Sequence, residues 1–162
     1  MQTIIFVNYH DYNEQLAANQ LYRLLPNSVY LDANWLCYTE PMKYSDMTVN
    51  IIMDNLTNAI NNFLIARNFD YVVINFPFSN SKMIHQLNSH LHGTDYSLLL
   101  FTLNNTSALE GIEQFELLKS EYEVHYEPMN DNKLLRSSQI DTTNMTAFRI
   151  AKTIHDIVVE GK

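Results

Sequence analysis

IIFVNYHDYNEQLAANQLYRLLPNS, residues 4–28, divides into an apolar run, a short polar turn and a stretch of helical spacing. The run Thr3–Asn8 is β-branched and aromatic without polar alternation, which predicts a strand buried on both faces. From Asn13 to Leu25 the apolar residues Leu16, Ala17, Leu21, Leu24 and Leu25 recur at three and four, the spacing of an amphipathic helix ended by Pro26-Asn27.

Working outward, the same alternation repeats. SVYLD (28–32) predicts a second strand, and WLCYTEPMKY (35–44) is irregular around Pro41. Ser45 to Arg67 carries Val49, Ile52, Met53, Leu56, Ile60, Phe63 and Leu64 at helical spacing and predicts one long helix. YVVINF (71–76) is a strand stopped by Pro77, and Ser79–Leu91 a helix closed by Gly93. YSLLLFTL (96–103) is a further buried strand, and Ser107–Tyr122 reads as a helix. EVHYEPMNDNKLLRSS (123–138) reads as a mobile polar excursion, and QIDTT (139–143) as a short last strand. The last helix, capped by Asn144 or Thr146, has the stripe Phe148, Ile150, Ala151, Ile154, Ile157 and Val158. Strands alternating with helices, several of them uninterrupted apolar runs, predict an α/β three-layer sandwich: a parallel sheet of about five strands with helices on both faces, in one domain spanning 1–162.

The 162 residues are 46% hydrophobic and 17% charged, enough for a real core. A net charge of -8, with the ten basic residues scattered singly, argues against a nucleic-acid partner, which needs clustered Lys and Arg. The single cysteine, Cys37, excludes an internal disulfide and a multi-thiolate zinc site. The first apolar run is too short for a secretory segment or a membrane span, so the expectation is a cytoplasmic chain with no membrane contact. His85, His90 and His92 stand at spacings of five and two, which do not bring three ligands to one helical face, and no metal site is expected.

In an open parallel sheet, ligands sit at the carboxyl ends of the strands. Here those ends are Asn8–Asn13, Asp32–Trp35, Asn75–Ser79 and Leu103–Thr106, each polar after an apolar run.

TIIFVN with the helix ending LYRLLPNS, VYLDANWL, and IDTTNMTAFRIAKTI come one after another from end to end of the chain. On these segments the whole chain resembles small P-loop kinases, the nucleotide-kinase, chloramphenicol-phosphotransferase-like and shikimate-kinase-like group. TIIFVN and its helix resemble that family's opening strand and phosphate-loop helix. VYLDANWL resembles the next strand of the family, with a substrate-side acid and a tryptophan after it, and IDTTNMTAFRIAKTI resembles the family's last strand and helix.

The phosphate loop departs from the family. G-x-x-x-x-G-K-[ST] presents backbone N–H groups and a Lys to phosphates and a hydroxyl to magnesium. The corresponding stretch is NYHDYNEQ, about one residue shorter, and no glycine occurs before Gly93. Aligned back from Pro26, Asn13 takes the last glycine position, Glu14 the Lys and Gln15 the Ser/Thr. Asn8 begins this loop, so Asn8, Asn13, Glu14 and Gln15 are the residues that would meet a nucleotide. A carboxylate in place of an ammonium changes a pair energy of roughly 4 kcal/mol, at 4 Å and an effective dielectric of about 20, from attraction to repulsion. Asp11 or Asn13 can equally serve as helix cap, which makes the acids structural.

The resemblance implies further roles. Asn75 stands where the family often carries a metal-orienting acid, and Asn is a poorer metal partner. Asp32 would contact an acceptor hydroxyl as its base, with Asn34, Trp35 and Asn75 on the substrate side and Tyr38 and Tyr44 nearby. Arg136, with Lys133, is the basic group left for a phosphoryl clamp. Asp32 and Arg136 are catalytic only if the protein is active. As structural alternatives, Asp32 caps the turn after its strand, Asn75 forms a turn, Trp35 is core and Arg136 is solvated. Two functions are therefore expected. One is a degenerate nucleotide-kinase-like protein that binds a small molecule or protein partner. The other is an active small-molecule phosphotransferase using ATP and magnesium through an unconventional donor loop. A homodimer through the 45–67 helix is a third expectation.

Overall fold

A computed structural model describes residues 1–37, 39–40, 45–77, 81–93, 95–105, 124–128 and 134–161. Tyr38, Tyr44, Lys133 and the helix expected over 107–122 lie outside them. In chain order the elements are β1 (Gln2–Asn8), α1 (Tyr12–Leu24), β2 (Ser28–Asp32), a 3-10 turn (Ala33–Leu36) and α2 (Asp46–Ala66). Then come β3 (Tyr71–Asn75), α3 (Ser81–Asn88), β4 (Tyr96–Asn104), β5 (Val124–Pro128), β6 (Leu134–Asp141) and α4 (Ala147–Glu160).

The sheet order is β2-β3-β1-β4-β6-β5. The first five are mutually parallel, and β5 pairs antiparallel with β6 at the edge. This matches the expected parallel sheet and corrects one segment. The stretch read as a polar excursion contains β5 and most of β6, and the short last strand expected at 139–143 begins at Leu134. The helix expected over 79–91 ends at Asn88, where the chain turns at Ser89-His90; residues 79 and 80 lie outside the described residues.

Side-chain alternation divides the core in two. Ile4, Phe6, Val72, Ile74, Leu98 and Leu100 meet α2 and α3 through Ile52, Leu56, Ile60, Ile84 and Leu87. Ile5, Val7, Val73, Phe101 and Leu103 meet α1 and α4 through Ala17, Leu21, Ile150 and Ile154. Each fully buried Ile, Leu or Phe contributes roughly 1.5–3 kcal/mol, so these faces set the strand registers. Ser45 and Thr48 form a capping box at the start of α2, and Arg67 closes it in the left-handed region at φ 53. Two positions expected in apolar stripes are exposed instead, Leu16 and Phe148.

From β1 the chain passes to β2 and β3 on one side, then crosses to β4 on the other. That reversal opens a crevice at the carboxyl end of β1, beside Asn8 and the start of α1.

Candidate functional site

The register sets out the floor of the crevice. Asp32 of β2 lies opposite Asn75 of β3, and Asn75 opposite Val7 of β1. Asn8 comes next, opposite Thr102, and Asn104 lies opposite Asp141.

The β1–α1 turn is closed by its own acids. Asp11 is the N-cap of α1, and its Oδ1 accepts the N–H of Glu14 at 2.8 Å. Glu14, in the first turn, folds back so that its Oε2 accepts the N–H of His10 at 2.7 Å and that of Asp11 at 3.4 Å. Its Oε1 accepts the hydroxyl of Thr142 at 2.5 Å, from the β6–α4 turn. Only 1% of Glu14 is exposed. Asp11 Oδ2 accepts the Asn105 amide at 3.0 Å, after β4. Asn13 donates to the Met145 carbonyl at 2.7 Å and accepts the Ala147 N–H at 3.2 Å, joining the starts of α1 and α4. Gln15 is half-buried one residue on, its N–H donating to the Asp11 carbonyl. A helix start offers free N–H groups to an anion. Here Asp11 takes the N–H of Glu14, and Glu14 takes those of His10 and Asp11 just before the helix.

A second cluster surrounds Asp32, which is 2% exposed. Its Oδ1 accepts the Asn34 N–H at 2.9 Å and the Asn34 amide at 3.0 Å. Its Oδ2 accepts the Asn75 amide at 3.0 Å and the Tyr30 hydroxyl at 3.3 Å. Asn34 also donates to the Tyr9 hydroxyl at 2.6 Å. Burial raises the Tyr30 phenol well above its ordinary value, and the Asp32 carboxylate adds to this by its charge and its hydrogen bond. Trp35 is not core: it is 66% exposed, its ring edge-on to Tyr30 at 6.4 Å. The carbonyl oxygens of Asn8 and Asn75 are buried without a hydrogen-bond partner among the described residues.

Two clusters thus meet at this end of the sheet, Asn13 and Glu14 in the β1–α1 turn and Asp32, Asn34 and Asn75 beside it, joined by the Asn34–Tyr9 bond, while Asn8 lies on the α2–α3 face with Phe6. Arg136 stands apart and is not a loop residue. It lies within β6 opposite Leu99, two residues before Ser138, which continues the row of Asp32 and Asn75 across the sheet. Four strand spacings of about 4.8 Å put it on the order of 20 Å from Asp32. Among the described residues no group of three His, Cys, Asp or Glu converges as a metal site, and no helix is long and apolar enough to cross a membrane.

Four contributors escaped the sequence: Tyr9, Tyr30, Asn105 and Thr142. Thr142 had a signal, the hydroxyl-rich turn after Asp141 that the third family-like segment contains. Tyr9 and Asn105 lie in polar strand ends but their roles did not show, and Tyr30 had no signal, because their partners are set by the sheet order. A separate groove of about 390 Å³ lies between α2 and α3, bordered by Asp54, Asn58, Gln86, His90 and His92.

No protein-family model matches the chain, and no curated protein sequence does. Solved structures do. The tunicamycin resistance protein of Deinococcus radiodurans superposes with a TM-score of 0.55 at 16% identity, over 98% of this chain and 95% of that one. A candidate kinase from Chloroflexus aurantiacus gives 0.53 at 10% identity, over 99% and 97%. Thymidylate kinase from Candida albicans gives 0.50 at 10% identity, over 99% and 92%. Five parallel strands in this order, helices on both faces and these end-to-end superpositions give the chain a P-loop kinase-like fold.

Proposed function

We propose that this is a nucleotide-kinase-like protein with a degenerate phosphate loop, which does not use MgATP in the ordinary way and acts by binding a small ligand or a protein partner in the crevice. The kinase-like part is supported by the fold and by structural neighbours that include thymidylate kinase. The loss of ordinary nucleotide use rests on one observation: the Glu14 carboxylate accepts the N–H groups of His10 and Asp11. A phosphate approaching that turn would compete with a tethered anion for the same donors and be repelled by it. A tenfold loss of affinity needs only about 1.4 kcal/mol, less than the repulsion of one like-charged pair near 4 Å at an effective dielectric of about 20.

Calorimetric titration with MgATP at physiological salt tests this. The expected result is no saturable heat at high micromolar nucleotide. Glu14→Lys alone gains no phosphoryl transfer, since glycines and hydroxyl are also lacking; transfer by that variant would count against the proposal. Saturable MgATP binding by the natural chain would overturn it and put an active phosphotransferase first. In that case Asp32 would be the base, Arg136 the clamp, and turnover would vanish in Asp32→Ala. The distance of Arg136 from Asp32 and the full hydrogen bonding of Asp32 weigh against that alternative. A homodimer through α2 has less to work with, because Ile52, Met53, Leu56, Ile60 and Leu64 are spent on the core, leaving Met47, Ile51 and Ile65 exposed.

A further inference from the structure

We propose that the crevice takes an organic cation, a primary or secondary alkylammonium, beside Asp32 and Asn75; this rests on the preceding proposal and names its ligand class. The first observation is Asn75. Its amide nitrogen donates to Asp32 and its Oδ1 has no partner among the described residues, with the residue 0% exposed. The reverse amide orientation would set two acceptors against each other, so Asp32 fixes the oxygen outward from the bond. A buried acceptor without a donor is unfavourable, and an N–H group arriving on a ligand would satisfy it. Phosphate at neutral pH offers little donor capacity.

The second observation is the sign of the charge. Asp32 and Glu14 are buried carboxylates at one sheet edge, and every donor described on them is neutral: backbone N–H groups, amides and hydroxyls. Asp11 adds a third acid beside them. The described cations near this edge, Lys82 and Arg149, are exposed, in the first turns of α3 and α4. Charge left uncompensated in a low-dielectric crevice attracts cations.

An ammonium fits better than a metal ion. A hard divalent cation needs several free oxygen ligands, and the lone pairs of Asp32 already receive four hydrogen bonds. Asp32 therefore supplies charge more readily than coordination. Trp35 is exposed three residues beyond Asp32, its ring perpendicular to that of half-buried Tyr30, and an aromatic ring there would add cation–π attraction for the ammonium and apolar contact for its carbon stem. Asn8, though also carrying an unpartnered oxygen, lies beyond Phe6 on the α2–α3 side of the sheet and is not part of this subsite.

The test is titration of the full chain with 1,4-diaminobutane at fixed ionic strength, by calorimetry and by the fluorescence of Trp35, the single tryptophan. The expected result is saturation with a Kd below about 1 mM. Affinity falls at least about tenfold in Asn75→Leu and Asp32→Asn, each checked for native circular dichroism. Should either variant unfold, Trp35→Leu, at an exposed position, still weakens binding several-fold by calorimetry. Absence of saturation, equal saturation by MgCl2 or by uncharged 1,4-butanediol, or unchanged affinity in the folded variants overturns the assignment. MgATP titrated against the same samples separates the two proposals. Nucleotide saturation removes the degenerate-loop proposal, whereas a silent amine with silent MgATP removes only this one.

Discussion

Glu14→Ala should destabilise the protein, although it removes a buried negative charge that no described cation neutralises. The variant deletes the acceptor for three donors: the N–H groups of His10 and Asp11 and the hydroxyl of Thr142. His10 is exposed, so its N–H recovers water. Thr142 is 2% exposed, and its hydroxyl does not. Loss of half a capping box costs about 1 kcal/mol, and a stranded buried hydroxyl about 1–3. Relief of carboxylate burial offsets part of this, leaving a net loss of roughly 2–3 kcal/mol. For a chain of this length that lowers Tm by roughly 4–12 °C. Glu14→Gln keeps the shape, an oxygen for His10 and an amide that can donate to a rotated Thr142 hydroxyl, so its cost stays below about 1 kcal/mol. Urea denaturation of the three proteins measures both numbers. An alanine variant as stable as the natural protein, or more so, would show that the carboxylate costs more than its bonds return, and the closed loop would lose its energetic basis.

Tyr30 makes stability pH-dependent at the alkaline end. Its folded-state pKa is raised above the ordinary value of about 10 by burial and Asp32, so its contribution is complete below about pH 10 and lost as pH rises beyond it. Stability measured by denaturation should fall less steeply above that pH in Tyr30→Phe, and identical slopes would contradict the assignment. Arg67, at φ 53, closes α2 in a conformation that favours glycine. Arg67→Gly should therefore raise stability by about 0.5 kcal/mol in the same urea assay, and a loss would mean that the arginine side chain contributes there.

Most of the fold was legible because its strands are buried on both faces. Ile4–Val7, Val72–Ile74 and Leu98–Leu103 carry few polar interruptions, and nothing but a covered parallel sheet accommodates them. The β5–β6 hairpin was not legible, because β6 contains Arg136, Ser137, Ser138 and Gln139 in a strand where hydrophobic alternation is the usual signal. Of the candidate site, Asn8, Asp32 and Asn75 could be found by their place at strand ends. The inward fold of Glu14 could not, since its partner Thr142 is supplied by the far end of the chain. Trp35 shows the converse: after a strand a large aromatic can be core or flank a substrate, and only its exposure once the chain around it is placed excludes core.

The contacts that close the crevice have an order in time. Glu14 with Thr142, and Asn13 with Met145 and Ala147, join residues separated by 128, 132 and 134 positions. Asp11 with Asn105 spans 94. Contacts of such separation form only after long loop closures, whereas the α1 capping box is local. During synthesis the first strand and helix emerge early, yet their turn cannot be sealed until the α4 segment has left the ribosome. The nascent chain therefore passes through a stage in which the Glu14 carboxylate lacks its Thr142 donor, and the β6–α4 turn acts as the clasp that ends it.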